Sequence, residues 1–137
     1  MVDVLTPEQR QWCMARVKSK NTAPEIIVRR TLHALGYRFR LHRKDLPGSP
    51  DIVISKQRVV VFVHGCFWHG HARCHRANRP ASNVDFWNEK LDANIRRDRI
   101  TRHKLREMGW RILVVWECQA RGTGLERRLA SMLRREK

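Results

Sequence analysis

The central strand of the fold and the loop after it are predicted from one stretch of sequence, Val59-Val60-Val61-Phe62-Val63-His64-Gly65-Cys66-Phe67-Trp68-His69. Its first five residues are apolar without polar alternation, which is typical of a strand buried on both faces. After Val63 the residue types change at once to histidine, glycine, cysteine and aromatics, so the strand ends where chemically reactive side chains begin. We therefore predict a buried strand over residues 58–63, followed by an irregular segment to residue 80.

Patterns on either side of this strand predict the rest of the fold. Thr22-Ala23-Pro24-Glu25 is typical of a helix start, and Gly36 is a typical helix end. The predicted order is helix 6–18, helix 22–35, strands 37–41, 51–54 and 58–63, helix 85–108, strand 111–116 and helix 125–133. No repeat or linker interrupts this order, so we predict a single domain over residues 1–137. The order favours an α/β fold with α+β character, in which helices flank a mixed central sheet.

Composition restricts the function. The 137 residues include 29 Lys and Arg against 13 Asp and Glu, which leaves a formal charge of +16. A field of that sign favours a polyanionic partner, usually nucleic acid; the alternative is a basic surface that only confers solubility. Apolar runs such as Val59–Val63 do not exceed five residues, and Met1-Val2-Asp3 opens a polar segment. We therefore expect an intracellular protein with no membrane span and no secretory signal.

Cysteine and histidine spacing predicts a metal site in the irregular segment. Three thiols and one imidazole form a standard tetrahedral zinc set, and an ion can stabilise a loop that has no apolar stripe. The predicted ligands are Cys66, His71, Cys74 and Cys118. His69 and His75 compete with His71 for the fourth position. The alternative is that these are ordinary buried cysteines.

A second metal site, with oxygen ligands that suit a hard cation, is predicted at Asp51. This carboxylate opens one strand beside another strand that ends in His64, an arrangement by which nucleases present Mg²⁺. The alternative is a turn residue, because aspartate after Pro50 also forms plain turns. His64 and His69 bracket the following loop, and imidazoles can accept a proton from water and return one to a leaving oxygen.

Two further acids have ordinary structural explanations. Glu25 closes a capping box with Thr22, and such a box requires no chemistry. Asp98 lies among arginines on the long predicted helix, where a single acid usually forms a local ion pair.

Aromatic and basic residues indicate a surface for nucleic acid. Phe67 and Trp68 are adjacent in a cationic loop, where they either pack in the core or form a wedge that unstacks DNA. Met14, on the first predicted helix, has the same two explanations. The long helix is dense in cations, which favours contact with phosphates. Its basic and amide residues are Lys90, Arg96, Arg97, Arg99, Arg102, Lys104, Arg106, Asn88 and Asn94.

Together these residues resemble one family. The motif from Phe62 to His69 is similar to the signature of very-short-patch repair endonucleases, which nick mismatched DNA and have a restriction-endonuclease-like fold. The matches run from about residue 8 to residue 121. Further matches are Met14, Thr22-Ala23-Pro24-Glu25, Leu46-Pro47-Gly48-Ser49-Pro50-Asp51, Asp85-Phe86-Trp87, Asn94, Arg97-Asp98-Arg99, Gly109-Trp110-Arg111 and Trp116-Glu117-Cys118.

The resemblance implies an Mg²⁺-dependent endonuclease that cuts 5′ to the thymine of a T:G mismatch left by deamination of 5-methylcytosine. The implied catalytic residues are Asp51 and the backbone carbonyl of Val63 for Mg²⁺, and His64 and His69 with Glu25 and Asp98 as their carboxylate partners. The same resemblance assigns structural Zn²⁺ to Cys66, His71, Cys74 and Cys118.

The resemblance also implies how DNA is held. Phe67 and Trp68 would intercalate beside the mismatch, while Met14 enters from the other groove as part of an N-terminal DNA-contacting arm over residues 1–21. Lys90 and Asn94 are expected to contact DNA as well. We expect a monomer in the cytoplasm, associated with the nucleoid and linked functionally to a cytosine-5 DNA methyltransferase and to mismatch-repair proteins.

The sequence departs from the family pattern at two places. Position 63, often threonine in the family, is Val63 here, and a contact through the backbone carbonyl tolerates that change. The segment between His71 and Cys74 is one residue longer, which leaves the fourth zinc ligand open. Two other functions remain: a zinc-stabilised module that binds nucleic acid without catalysis, and a restriction-type nuclease of the same fold.

Overall fold

The computed structural model describes residues 21–134. The predicted helix over 6–18, Met14 and most of the predicted N-terminal arm therefore lie outside the described residues. The strands are β1 (Arg40–Leu41), β2 (Ile52–Ile54), β3 (Val59–His64) and β4 (Arg111–Trp116). The helices are α1 (Ala23–Ala34), α2 (Val84–Glu107), α3 (Glu117–Ala120) and α4 (Leu125–Arg134), with a 3₁₀ turn at His75–Ala77.

The four strands form one mixed sheet in the order β1-β2-β3-β4. The β1–β2 and β2–β3 pairs are antiparallel. The β3–β4 pair is parallel and runs in register from Val59 opposite Arg111 to His64 opposite Trp116. The connection between these two strands contains the irregular loop and α2. The prediction of a mixed sheet flanked by helices is confirmed.

Strand β3 has a hydrophobic core on each of its faces, as its unbroken apolar sequence predicts. Val59 and Val61 pack in a cluster with residues of α1 and α4, whereas Val60 and Phe62 pack in a second cluster with Leu105 of α2. Full burial of each such side chain stabilises the fold by about 1.5–3 kcal/mol. Since both faces are covered, the polar end of β3 is held in a fixed position.

The predicted strands differ from the observed ones in detail, most of all the strand expected over 37–41. The strand expected over 37–41 shortens to Arg40–Leu41, because Tyr37 and Phe39 pack against the core instead of extending the ladder. The strand over 111–116 has the predicted bounds but is only partly buried, with Leu113 and Val115 as its buried residues. This strand has one neighbour among the described strands, so its other edge is not covered by the described sheet.

The short helix α3 was not predicted. It follows β4 directly, and the Gln119 side chain accepts the Trp116 backbone N–H at 3.1 Å at its start. A four-residue helix is too short to show a hydrophobic period. Within residues 21–134, no helix combines the length and the apolar character that crossing a membrane requires.

Candidate active site

The end of β3 brings together the first two predicted site residues. The Val63 backbone N–H donates to Asp51 Oδ2 at 2.7 Å. His64 is the next residue of the same strand, and its side chain is buried. The Asp51 carboxylate and the His64 imidazole are therefore tied to consecutive residues of one strand with a core on both faces.

The loop before Asp51 depends on a glycine. Gly48 has φ +73°, and a Cβ on it would lie 2.4 Å from Thr101 Cγ2 of α2. Only glycine combines that backbone conformation with so close an approach. Leu46 and Pro50 of the same loop are buried, so the chain enters β2 at a defined position and Asp51 is placed beside β3.

Asp51 belongs to a group of three donor side chains, Glu25, His42 and Asp51. One ligand atom from each lies within 4.8 Å of the others. Glu25 is only 2 % exposed, and its Oε2 accepts from His42 Nε2 at 2.8 Å, from Arg29 Nη2 and from the Asn21 backbone N–H at 3.2 Å. We expected Glu25 to pair with His64 or His69, whereas the imidazole that contacts it in the structure is His42.

The capping prediction for Glu25 holds in part. Thr22 caps α1 and accepts the Glu25 backbone N–H at 3.4 Å, but the Glu25 side chain turns to Asn21 and His42 instead of to the Thr22 backbone. Glu25 therefore has partners beyond the helix cap.

Electrostatics of this group fit a divalent cation. Burial raises the pKa of the Asp51 carboxyl to about 7; the Val63 N–H opposes the rise, the nearby Glu25 carboxylate adds to it, and Arg29 opposes it. Two buried carboxylates in contact repel each other when both are ionised. A cation between them would remove that repulsion, and carboxylate oxygens are the ligands that hard dications prefer.

The second group contains both predicted catalytic histidines. The rings of His64 and His69 stack with centroids 3.8 Å apart and planes 7° apart. His69 Nδ1 donates to Asp98 Oδ2 of α2 at 2.6 Å, so Asp98 is paired with one of the two histidines as expected. A carboxylate on Nδ1 fixes the imidazole tautomer and leaves Nε2 able to accept a proton.

His64 and His69 differ in their environment. Burial, assisted by His69 and Arg102 and opposed by Asp98, lowers the pKa of His64 to about 3. Its Nδ1 is buried without a hydrogen-bond partner. His64 is therefore neutral at physiological pH. His69 is the more accessible of the two, with 27 % of its side chain exposed.

The third group contains the four predicted zinc ligands. Ligand atoms of Cys66, His71, Cys74 and Cys118 lie within 4.8 Å of one another, and Cys118 Sγ is 3.5 Å from His71 Nδ1. Among the three candidate histidines, His71 belongs to this group, while His69 pairs with Asp98 and His75 starts the exposed 3₁₀ turn.

The chemistry of this third group also fits a metal ion. Burial and the thiols of Cys118 and Cys74 raise the pKa of Cys66 to about 12, so the free Cys66 thiol holds its proton. A dication removes the proton of a coordinating thiol outright. His71 also stacks on Trp116 at the end of β4, with ring centroids 4.2 Å apart. The group thus links the loop after β3 to α3 after β4.

Phe67 and Trp68 form a half-buried aromatic cluster with Trp87 of α2. The ring centroids are 4.8 Å apart for Phe67–Trp68 and 5.3 Å apart for Phe67–Trp87. A Cβ on Gly65 would lie 3.0 Å from Trp68 Cδ1, so a side chain at Gly65 would force the indole to move. Sequence patterns predict no role for Trp87, whose only signal is its place in the matched segment 85–87.

Helix α2 carries the predicted basic surface. Asn94 Nδ2 donates to the Trp68 carbonyl at 3.0 Å, and Arg97 Nη1 donates to Asn94 Oδ1 at 3.0 Å. Lys90 lies 6.0 Å from the Phe86 ring centroid. The exposed cations of this helix are Lys90, Arg96, Arg97, Arg99, Lys104 and Arg106. A strongly positive surface therefore adjoins both the aromatic cluster and Asp98.

Comparison with known proteins gives the relationships of the chain. The family described as DNA mismatch endonuclease Vsr matches residues 2–76. The type II nicking enzyme V.XorIIP of Xanthomonas oryzae pv. oryzae is 53 % identical over 134 residues, which is 97 % of this chain and 98 % of that protein.

Two further relatives agree. The type II nicking enzyme V.NmeAIP of Neisseria meningitidis is 42 % identical over 136 residues, covering 99 % of this chain and 96 % of that protein. The DNA mismatch endonuclease Vsr of Escherichia coli is 42 % identical over 122 residues, covering 89 % and 78 %.

Proposed function

Because the chain belongs to the Vsr family of DNA mismatch endonucleases, we propose that it nicks double-stranded DNA 5′ to the thymine of T:G mismatches. These mismatches arise when 5-methylcytosine deaminates, and the proposed reaction is Mg²⁺-dependent hydrolysis of a phosphodiester. One observation carries the proposal: Val63 holds Asp51, and the adjacent His64 stacks on the His69–Asp98 pair. A carboxylate suited to a cation and a candidate proton acceptor thus lie at the same end of one strand.

Asp51 and the backbone carbonyl of Val63 would hold Mg²⁺, with Glu25 beside them. When bound, the ion supplies the positive charge that polarises the phosphate and stabilises the leaving 3′ oxygen. Arg29 contacts Glu25 and balances one of the two negative charges. The Val63 backbone N–H donates to one Asp51 carboxylate oxygen, and this hydrogen bond holds the carboxylate in position.

His69 is the best candidate for the general base. Its bond to Asp98 orients the ring, so that Nε2 can take a proton from the attacking water. His64, buried and neutral, fixes the plane of His69 by stacking. The nicking enzymes among the relatives support cleavage of one strand.

The aromatic cluster and α2 would recognise the substrate. Phosphate contacts from α2, including Lys90, are shared by matched and mismatched duplexes and cannot discriminate between them. Insertion of Phe67 and Trp68 between base pairs costs a few kcal/mol of unstacking per step, and a weak wobble pair lowers that cost. Asn94 supports this wedge, because it holds the Trp68 backbone.

Zn²⁺ is the proposed ion of the Cys66, His71, Cys74 and Cys118 group, since three thiolates and one imidazole are a standard set for it. An asymmetric mismatch suits a monomer. The proposed substrate also implies a functional link to a cytosine-5 DNA methyltransferase and to mismatch-repair proteins, and action on nucleoid DNA in the cytoplasm.

A duplex panel tests the proposal. Three otherwise identical duplexes carry a T:G mismatch, an A:C mismatch or full pairing, with each strand labelled in turn and with Mg²⁺ or a chelator. We expect one nick, 5′ to the thymine of the T:G duplex, only with Mg²⁺ and not with the Asp51→Asn variant. Equal cleavage of the paired duplex would indicate a restriction-type nuclease. Binding without cleavage would indicate a non-catalytic module.

A further inference from the structure

His42 is a polar residue of the Asp51 site that the roles above leave unused. It follows β1, and its side chain is 17 % exposed. Its backbone N–H donates to the Asp51 carbonyl at 3.2 Å, and its Nε2 lies 2.8 Å from Glu25 Oε2. One residue is thus connected to both acids of the group.

The spacing of the three donors suits a single ion. Ligand atoms about 2.0–2.1 Å from an octahedral ion lie about 3 Å apart when adjacent and about 4 Å apart when opposite. His42 Nε2 and Glu25 Oε2 have the spacing of adjacent ligands, and all three donors fall within 4.8 Å of one another. A cation can therefore replace the proton between His42 and Glu25 with little movement of the side chains.

Local charge also favours an imidazole ligand. The two acids supply the negative charge that attracts a cation, and Arg29, which contacts Glu25 and lies 3.4 Å from His42 Nε2, offsets only part of it. A neutral imidazole adds a ligand without adding charge. Imidazole nitrogen suits first-row transition ions, whereas Mg²⁺ prefers oxygen and retains its waters.

We propose that His42 is a direct metal ligand beside Glu25 and Asp51, and that the site therefore binds Mn²⁺ more tightly than Mg²⁺. This inference rests on the proposed function, in which Asp51 holds the catalytic ion. It adds a nitrogen ligand to that site and extends the class of ions that the site accepts.

Pulsed electron paramagnetic resonance of Mn²⁺ bound to the full zinc-loaded chain tests the proposal directly. Imidazole nitrogen bound to Mn²⁺ produces a ¹⁴N modulation, which we expect in the unchanged protein. His42→Asn should abolish the modulation and weaken Mn²⁺ binding about tenfold or more, the range found when metal-site partners are removed. Asparagine is the appropriate replacement, because His42 has φ +49° and asparagine tolerates that region.

Control variants separate the possible sites. His103→Gln changes an exposed histidine paired with Glu107 on α2 and should leave the modulation intact. His69→Gln should also leave it intact; a loss there, with retention in His42→Asn, would place Mn²⁺ at the His64–His69–Asp98 group and overturn the proposal. His42→Gln serves as a second variant if His42→Asn lowers the melting temperature.

Failure of this inference differs from failure of the proposed function. If Asp51→Asn abolishes Mn²⁺ binding but His42→Asn leaves the modulation and the affinity unchanged, Asp51 remains a metal ligand and His42 is not one. If Asp51→Asn leaves Mn²⁺ binding unchanged, the metal role of Asp51 fails. Tighter binding of Mg²⁺ than of Mn²⁺ by the unchanged protein would contradict the predicted selectivity.

Discussion

The loop after β3 takes part in two donor groups of opposite character. Its Cys66, His71 and Cys74 meet Cys118 in a group of soft donors drawn from the chain after β3 and after β4. Its His69 meets Asp98 of α2 and remains partly accessible. Closed, soft donor sets stabilise structure, whereas open sites with hard or titratable donors perform reactions. We therefore expect substitutions in the first group to unfold the site, and substitutions in the second group to remove only its activity.

The largest effect is expected in the closed group. Cys118→Ser should release the ion and unfold the loop, because structural zinc contributes on the order of 10 kcal/mol of apparent binding free energy. Metal analysis and thermal melting measure both consequences. Purified unchanged protein that contains no zinc would contradict the assignment, and a Cys118→Ser variant that melts normally would show that the group is not structural.

Asp51→Asn should act in the opposite way, removing activity while the fold persists. Loss of the cation's contribution of several kcal/mol corresponds to a decrease in nicking rate of about a thousandfold or more. The melting temperature should remain equal or increase, because one of two repelling carboxylates is removed. Single-turnover nicking and thermal melting test this, with Asp45→Asn, an exposed acid, as the matched control.

His69→Gln should reduce the nicking rate by about 10²–10⁴-fold, the usual contribution of a general base. Binding of the T:G duplex should change little, because the basic surface and the aromatic cluster are intact. Asp98→Asn should produce a smaller loss, since that variant disturbs only the orientation of His69. An Asp98→Asn defect larger than that of His69→Gln would give the carboxylate a direct catalytic role instead.

The smallest expected effect concerns Trp68, which belongs to neither donor group. Trp68→Ala should weaken binding to the T:G duplex by about 1–3 kcal/mol and binding to the paired duplex much less. Two dissociation constants at one salt concentration, with the melting temperature, test this. Equal weakening for both duplexes together with a lower melting temperature would make Trp68 a core residue.

The sequence predicts those parts of the site that lie within short segments. The strand over 58–63, the cap at Thr22 and the cysteine spacing are local patterns, and the structure contains all three elements. The pairing of Asp98 with a histidine was also expected, but only from the family resemblance, since the two residues are 29 positions apart.

His42 could not be predicted in this way. It lies 17 positions from Glu25, in a short segment without a motif, and it meets the acids only because the chain turns between β1 and β2. The misassigned partner of Glu25 has the same cause: sequence shows that histidines and acids are present but not which of them pair. The short helix α3 likewise depends on a tertiary position, because its four residues follow the end of β4.

The parallel pairing of β3 with β4 has a consequence for synthesis of the chain. Cys66 and Cys118 belong to one metal group but are separated by about 50 residues, whose ends must be brought together before the ion can bind all four ligands. Asp98 lies in the segment that connects these two strands. In a ribosome-bound chain that still lacks β4, the loop that carries the histidines is present, but the β3–β4 pairing that fixes its position is not. The nuclease would remain inactive until translation has passed residue 118, because only then are both ends of the metal group available.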